Sequence, residues 1–160
     1  MYEKQDWSDV YGETPFNADR MKHIEEGIYE NSKNIDENIN NVYEYNGELK
    51  DITANANSWT SLYEDVTTDT LPMGVYLFIL NISLIGETGA STIRPTLNGY
   101  EINAGKRMTI PTLTSKETAG AYTAIVNVTT PQKYTLNCHI YPSTPTRAAR
   151  TNFYTFIKIK

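Results

Sequence analysis

Aromatic and basic side chains are the groups in this sequence whose types suit ligand chemistry, and that chemistry is saccharide binding. Tyrosine is unusually frequent, with 12 tyrosines and two tryptophans against four phenylalanines. A saccharide site needs an aromatic platform and hydrogen-bonding side chains in a shallow cleft. The aromatic candidates are Trp59, Tyr100, Tyr122, Tyr141 and Tyr154, and the polar candidates are Arg94, Asn98, Arg107, Asn137, Arg147 and Arg150.

Four of these side chains form the predicted ligand-binding set: Tyr100, Tyr141, Arg147 and Arg150. The two arginines lie in a predicted loop between Pro142 and Thr151, and loops carry a disproportionate share of binding residues. The alternative is that this loop is only solvated, and that most of the tyrosines pack in a β core or against neighbouring subunits.

The sequence contains no recognisable catalytic or metal-binding motif. It has no Gly-x-Ser-x-Gly, no phosphate-binding glycine loop and no His-Glu-x-x-His. One cysteine and two histidines do not favour a closed zinc site, and Cys138 alternates with Leu136 and Ile140 as a buried thiol would. We therefore predict no enzyme activity, metal or cofactor. A glycosidase pair of carboxylates from distant positions stays open as the less favoured alternative.

Composition excludes several classes of partner. The 160 residues include 14 basic and 19 acidic side chains, for a formal charge of −5, which excludes a strongly basic nucleic-acid binder. No apolar run reaches the ~18–20 residues that a membrane span needs. The first residues, Met1–Trp7, lack the apolar core of a secretory signal peptide. We expect neither nucleic acid nor membrane as a partner.

A heptad repeat is the most informative pattern in the first third of the chain. Thr14-Pro15 precedes a helix predicted over residues 17–52, with Asn17 as its N-cap. Its apolar side chains follow a narrow stripe with the 3.5-residue period of a left-handed coiled coil. The predicted seam has Met21, Ile28, Ile35, Val42 and Leu49 at position a, and Ile24, Asn31, Asn38, Tyr45 and Ile52 at position d.

The amides at two d positions favour a trimer. Asn31 and Asn38 each follow an isoleucine at position a, and buried asparagine fixes register and oligomeric state. This arrangement resembles the asparagine layers of trimeric fibrous stalks. The alternative is an exposed helix that carries asparagine by chance.

Composition and charge change near residue 61. Residues 1–61 hold 13 acidic and five basic side chains, whereas residues 62–160 hold six acidic and nine basic. We predict an attachment arm at 1–16, a coiled-coil stalk at 17–52, a linker at 53–61 and a head at 62–160.

The head is predicted to be a β-sandwich of jelly-roll type, so the fold class is α+β and mainly β. Eight short strand patterns occur in about 100 residues, with a two-residue hairpin signal at Asn98-Gly99. The segment Val75–Ile85 is apolar on one face and also on the first half of the other, through Val75, Leu77 and Ile79. Because a two-layer sandwich covers one face of each sheet, this second patch needs a partner, most simply another copy of the chain.

The segment Asp6–Ile28 resembles one that is shared by tail, baseplate and fibre proteins of phages and prophages of Gram-positive bacteria. The resemblance lies in Trp7, in Thr14-Pro15-Phe16-Asn17-Ala18, and in Ile24, Glu25, Gly27 and Ile28, and it covers about a sixth of the chain. The head more weakly resembles tumour necrosis factor-like jelly rolls, through Pro72–Phe78 and Phe156–Lys160.

The resemblance implies a homotrimeric virion appendage protein, a tail fibre or head fibre, made in the bacterial cytoplasm. Its N-terminal arm would contact other virion proteins. Its head would act as a receptor-binding protein for host attachment through a cell-surface polysaccharide. Two alternatives remain open: a purely structural head-fibre or decoration protein, and a cell-wall polysaccharide depolymerase.

Overall fold

The computed structural model of the chain describes residues 18–39, 41–103 and 105–160. This part of the chain is mainly β, with two antiparallel sheets and one helix. The chain divides into two units, Met1–Asn41 and Val42–Lys160. The first contains the helix α1 (Ala18–Ile39). The second contains the strands β1 (Val42–Gly47), β2 (Thr60–Ser61), β3 (Val66–Thr67), β4 (Gly74–Gly86), β5 (Gly89–Leu97), β6 (Tyr100–Glu101), β7 (Met108–Thr112), β8 (Thr118–Val128), β9 (Thr135–Pro142), β10 (Thr146–Ala148) and β11 (Asn152–Lys158).

The strands form two sheets that enclose one core. The first sheet has the order β1-β11-β4-β8, and β10 continues the edge of β4 beyond β11. In the second sheet, β2 and β3 both pair with one edge of β9, and β5 pairs with its other edge. The far edge of β5 pairs with β6 and β7. All named pairs are antiparallel, and the buried apolar side chains of both sheets form a single cluster.

The alternation of β4 builds the centre of this core. Tyr76, Phe78 and Leu80 are fully buried, whereas Leu77 and Ile79 between them are not. Phe156 of β11 packs edge-on against Phe78, with ring centroids 5.1 Å apart. Because successive strand residues point to opposite faces, the period-2 pattern of the sequence decides which side chains face the core.

The predicted hairpin at Asn98-Gly99 is confirmed. Leu97 pairs with Tyr100, and the two turn residues have φ angles of 50° and 80°. These positive values are those of a type I′ turn, whose backbone twist matches that of the flanking strands.

The predicted extent of the helix is wrong, because α1 ends at Ile39 rather than at Ile52. The next segment, Val42–Gly47, is β1 and pairs with β11. Val42-Tyr43-Glu44-Tyr45 alternates with a period of two, and β-branched and aromatic residues favour strands. The rings of Tyr43 and Tyr45 pack against the core. Gly47 fits beside Asn152, whose side chain would collide with a Cβ at that position.

The correction changes the predicted seam and domain boundaries. Val42, Tyr45, Leu49 and Ile52 lie beyond the helix, so they are not positions of a helical seam. Met21, Ile24, Ile28 and Asn31 lie in α1, where Ile24 and Ile28 are 48% and 46% exposed. The side chains of Ile35 and Asn38 and the arm at 1–16 lie outside the described residues. A coiled-coil trimer stays a prediction.

The predicted linker at 53–61 is also part of the β unit. Ala54 is fully buried and bridges to Thr146, and Thr60–Ser61 is β2. The β unit therefore begins at Val42 and not at residue 62.

The outer face of the first sheet carries a continuous apolar row. Val42, Ile157, Leu77 and Ile125 are cross-strand neighbours on β1, β11, β4 and β8. Val42 and Ile125 are 48% and 52% exposed. The predicted second apolar face of Val75–Ile85 is therefore present as part of a wider patch. Over the described part of the chain, no helix is long and apolar enough to span a membrane.

Candidate functional site

The outer face of the second sheet is polar and aromatic, in contrast to that of the first. Along β9, Leu136, Cys138 and Ile140 are buried, whereas Asn137 and His139 between them are half-buried and face outward. This alternation is the one predicted from the sequence. The same outer face receives side chains from β5 and from the segments that lead into β7 and into β2.

Five side chains on this face form what we call the aromatic–basic face: Trp59, Arg94, Arg107, His139 and Tyr141. The strand registers bring them together, since Arg94 pairs with His139 and Thr60 pairs with Ile140. Trp59 thus lies opposite Tyr141, and their ring centroids are 5.3 Å apart. The guanidinium carbons of Arg94 and Arg107 lie 4.2 Å and 5.1 Å from the centroid of the Trp59 ring.

Cation–π attraction helps to explain how Arg94 and Arg107 can lie close together on this face. A guanidinium over an indole ring gains about 0.5–2 kcal/mol, depending on its desolvation. Arg107 is also neutralised by Glu101, which accepts hydrogen bonds from Nε and Nη2 at 2.9 Å and 3.2 Å. This pairing lowers the pKa of Glu101.

Arg94 differs from Arg107 because it forms no ion pair with a carboxylate among the described residues, although its charge also helps to lower the pKa of Glu101. Its Nε is buried and without a hydrogen-bond acceptor in that part of the chain. Its cross-strand neighbour His139 has a buried Nδ1 that likewise lacks a partner there. Burial lowers the pKa of His139, and the nearby charge of Arg94 lowers it further, so His139 is neutral at pH 7.

A hydrogen-bond network holds the neighbouring part of the face. Ser61 Oγ donates to Asn137 Oδ1 at 2.7 Å, and the Asn137 amide donates to Asp65. Asn137 is the cross-strand partner of Thr96, which lies two residues after Arg94. The polar edge of the face is therefore fixed by partners from three segments of the chain.

The predicted ligand-binding residues do not form one site. Tyr141 belongs to the aromatic–basic face. Tyr100 is 81% exposed beside the Asn98-Gly99 turn, at the end of β5. Arg147 pairs with Ile85, near the opposite end of β5, and lines an open cleft of about 480 Å³ together with Ile52 and Glu117.

Arg150 lines a neighbouring cleft of about 420 Å³ and forms an ion pair with Glu117, with Nε 2.9 Å from a carboxylate oxygen. This pairing leaves Arg150 less able than Arg94 to receive an anion. The Arg147–Arg150 region therefore consists of two open clefts. Phe153 is the one aromatic residue among the described residues that line them.

Two of the aromatic candidates are core residues. Tyr122 and Tyr154 are 6% and 0% exposed, and the Tyr122 hydroxyl donates to the carbonyl of Ile102 at 2.9 Å. For them the alternative interpretation, packing in the sandwich, is confirmed. Cys138 is fully buried, as predicted, and burial raises the pKa of its thiol.

The sequence prediction missed the grouping of Trp59 with Arg94 and Arg107. All three residues were candidates, but they come from separate segments, and only the register of β2, β9, β5 and β7 unites them. The sequence did not indicate that His139 is half-buried opposite Arg94. The alternation of β9 was the one available signal, because it places His139 and Tyr141 on the same face.

Comparisons with known proteins add no relative. No protein-family model matches the chain, and no curated protein matches it. Within the described ranges, no group of three or more histidine, cysteine, aspartate or glutamate side chains could hold a metal ion.

Proposed function

We propose that the chain is a homotrimeric virion appendage protein of a phage or prophage of Gram-positive bacteria, and that its β head binds a saccharide of the host cell surface. The resemblance of Asp6–Ile28 to tail, baseplate and fibre proteins supports the virion assignment. The arm at 1–16 would contact other virion proteins.

The strand order supports a jelly roll as the fold of the head. The two layers are β1-β11-β4-β8 and β2/β3-β9-β5-β7. Two Greek keys that interleave between facing sheets produce this alternation of strands between the layers. Heads of the tumour necrosis factor-like type share this architecture, as the weaker resemblance implies.

Exposed apolar surface supports the trimer. The row Val42-Ile157-Leu77-Ile125 lies on the outer face of the first sheet, where the sandwich itself cannot cover it. In the helix, Ile24 and Ile28 keep nearly half of their surface accessible. Contiguous apolar surface of this kind marks an interface between proteins, and identical copies are always available to a homo-oligomer.

The aromatic–basic face is the observation that carries the saccharide assignment. Tyr141 is half-buried on an open sheet face, and hydrogen-bonding groups of Arg94 and His139 lie two residues away on the same side. Tyrosine and tryptophan combine an apolar ring with a polar end, so they suit surfaces that meet a partly hydrated ligand.

The net charge of the head contributes little attraction for an anionic ligand. With its boundary at Val42, the head holds nine acidic and ten basic side chains, so it is nearly neutral. Electrostatic attraction of the head to an anionic cell surface therefore has to come from the aromatic–basic face itself. The proposed role is binding rather than hydrolysis, since the pairing with Arg107 keeps Glu101 ionised and unsuited to act as a general acid.

Binding of the intact chain to Gram-positive cells tests this function. The Tyr141→Ala variant should lose most of its binding, because the aromatic platform is removed. Tyr100→Ala is the matched control, since it deletes an equally large ring that is 81% exposed at another site. Equal binding by the wild type and Tyr141→Ala would remove the receptor site from this face. Absence of binding to any cell would favour the purely structural head fibre.

A further inference from the structure

The unpartnered nitrogen atoms of Arg94 and His139 point to the charge of the ligand. Both side chains lie on the outer face of the second sheet and are directly opposite each other in the pairing of β5 with β9. Arg94 Nε and His139 Nδ1 are both buried, and neither has a hydrogen-bond partner among the described residues. A buried donor without an acceptor costs free energy, so such a pair of groups calls for an explanation.

Two other arginines near the candidate regions have their charge balanced within the chain. Arg107 is paired with Glu101, and Arg150 with Glu117. Arg94 has the Trp59 ring beside it and forms no ion pair in the described ranges, although it acts on the Glu101 carboxylate at longer range. An indole ring offsets part of the cost of holding a cation, but it supplies no oxygen acceptor for the guanidinium N–H groups.

We infer that Arg94 and His139 form an anion subsite within the aromatic–basic face, and that the ligand is a saccharide carrying a carboxylate or phosphate group. This inference rests on the proposed function. Because both nitrogen atoms are buried in the free chain, the two side chains would turn toward the anion. The anion would then accept hydrogen bonds from the Arg94 guanidinium and from His139, while the sugar ring packs beside Tyr141. Thr92, the cross-strand partner of Tyr141, offers a hydroxyl on the same face.

The surroundings of His139 make this subsite sensitive to pH. The charged groups that act on it are Arg94 and Lys50, which lower its pKa, and Asp65, which raises it. A bound anion raises the pKa of a neighbouring imidazole, because it stabilises the charged form. Binding therefore takes up a proton, and affinity increases as the pH falls toward 6.

Three forms of one polymer separate charge from sugar recognition: dextran, carboxymethyl-dextran and phosphorylated dextran. Dissociation constants are measured with the intact chain at pH 7 and ~150 mM salt. The two anionic forms should bind, and neutral dextran should bind at least tenfold more weakly. Arg94→Gln should weaken binding of the anionic forms by about tenfold to hundredfold, because it removes a charge-assisted hydrogen bond.

Arg150→Gln is the matched control for non-specific attraction, because it removes the same charge from the head. It should weaken binding by less than about threefold, and Arg94→Lys, which keeps the charge, should lose less than Arg94→Gln. Thermal unfolding by circular dichroism verifies that each variant is folded. In a second readout, affinity for carboxymethyl-dextran should rise from pH 7.5 to 6 in the wild type and not in His139→Gln.

Three results would overturn the inference: equal losses for Arg94→Gln and Arg150→Gln, binding of neutral dextran as tight as that of the anionic forms, or no binding of any of the three polymers. Cell binding that is lost in Tyr141→Ala but unchanged in Arg94→Gln would remove the anion subsite and leave the proposed function standing. Cell binding that is unchanged in both variants would remove both.

Discussion

Replacement of Ile125 by aspartate should dissociate the heads of the predicted trimer from one another. Ile125 lies at the end of the apolar row on the outer face of the first sheet, and 52% of its surface is exposed. Full burial of an isoleucine side chain contributes about 1.5–3 kcal/mol, so covering the exposed half contributes about 1 kcal/mol per subunit. A trimer would thus lose about 3 kcal/mol from the Ile125→Asp change, before the larger cost of burying three carboxylates.

That loss corresponds to more than a hundredfold in the association constant, since about 1.4 kcal/mol is a factor of ten. The assay is light scattering of the unit Val42–Lys160, which excludes any contribution from the helix. At ~100 µM the wild-type unit should associate, and Ile125→Asp should be monomeric. Thr109→Asp, on an exposed strand position of the other sheet, is the control and should associate like the wild type.

Two results would refute this reasoning. A wild-type Val42–Lys160 unit that stays monomeric at this concentration would show that the apolar row is not a self-interface. If Thr109→Asp dissociated the unit as completely as Ile125→Asp does, the interface would not be confined to the first sheet. In the intact chain, light scattering should give three chains of 18.1 kDa.

Three further predictions concern stability and reactivity. Gly47→Ala should lower the free energy of unfolding by about 1–3 kcal/mol, because the new Cβ collides with Asn152. Gly27→Ala, in open space on the helix, should raise the free energy of unfolding by up to ~1 kcal/mol. Denaturant titrations of the two variants test both values. Cys138 should resist iodoacetamide in the native protein and react once it is unfolded, and rapid native labelling would contradict its burial. The pKa of His139 is lower in the folded chain than in the unfolded chain, so the unfolded chain binds more protons below pH ~6.5. The stability that comes from keeping His139 neutral is complete above that pH and is lost as the pH falls below it. Between pH 7 and 5, the free energy of unfolding should therefore fall less for His139→Asn than for the wild type.

The strands were predictable wherever one period dominated the sequence. β4 and β9 follow from alternation, and the β5–β6 hairpin follows from Asn98-Gly99. β1 was missed because Val42 and Tyr45 fit a heptad and a strand equally well. The burial of Tyr43 and Tyr45 against the core decides between the two periods, and that burial depends on the pairing with β11, more than 100 residues away.

The candidate site was less predictable than the fold for the same physical reason. Tyr141 was among the predicted aromatic residues, and the clear alternation of β9 places it on the outward face of its strand. The other members of the face depend on strand register, which sets Arg94 against His139 and Trp59 against Tyr141. Hydrophobic alternation fixes the face of a side chain, but not which residue stands opposite it on the next strand.

Hydroxyl-radical footprinting of the intact protein, with and without purified Gram-positive cell walls, probes the subunit interface and the receptor face in one experiment. Phe153, which is 47% exposed on the outer face of the first sheet, should already be protected in the free protein if subunits cover that face. Trp59 and Tyr141 should be modified in the free protein and become protected when cell walls are added. If cell walls protected Phe153 and left Trp59 and Tyr141 unchanged, the receptor site would not lie on the aromatic–basic face and the first sheet would not be covered by other subunits.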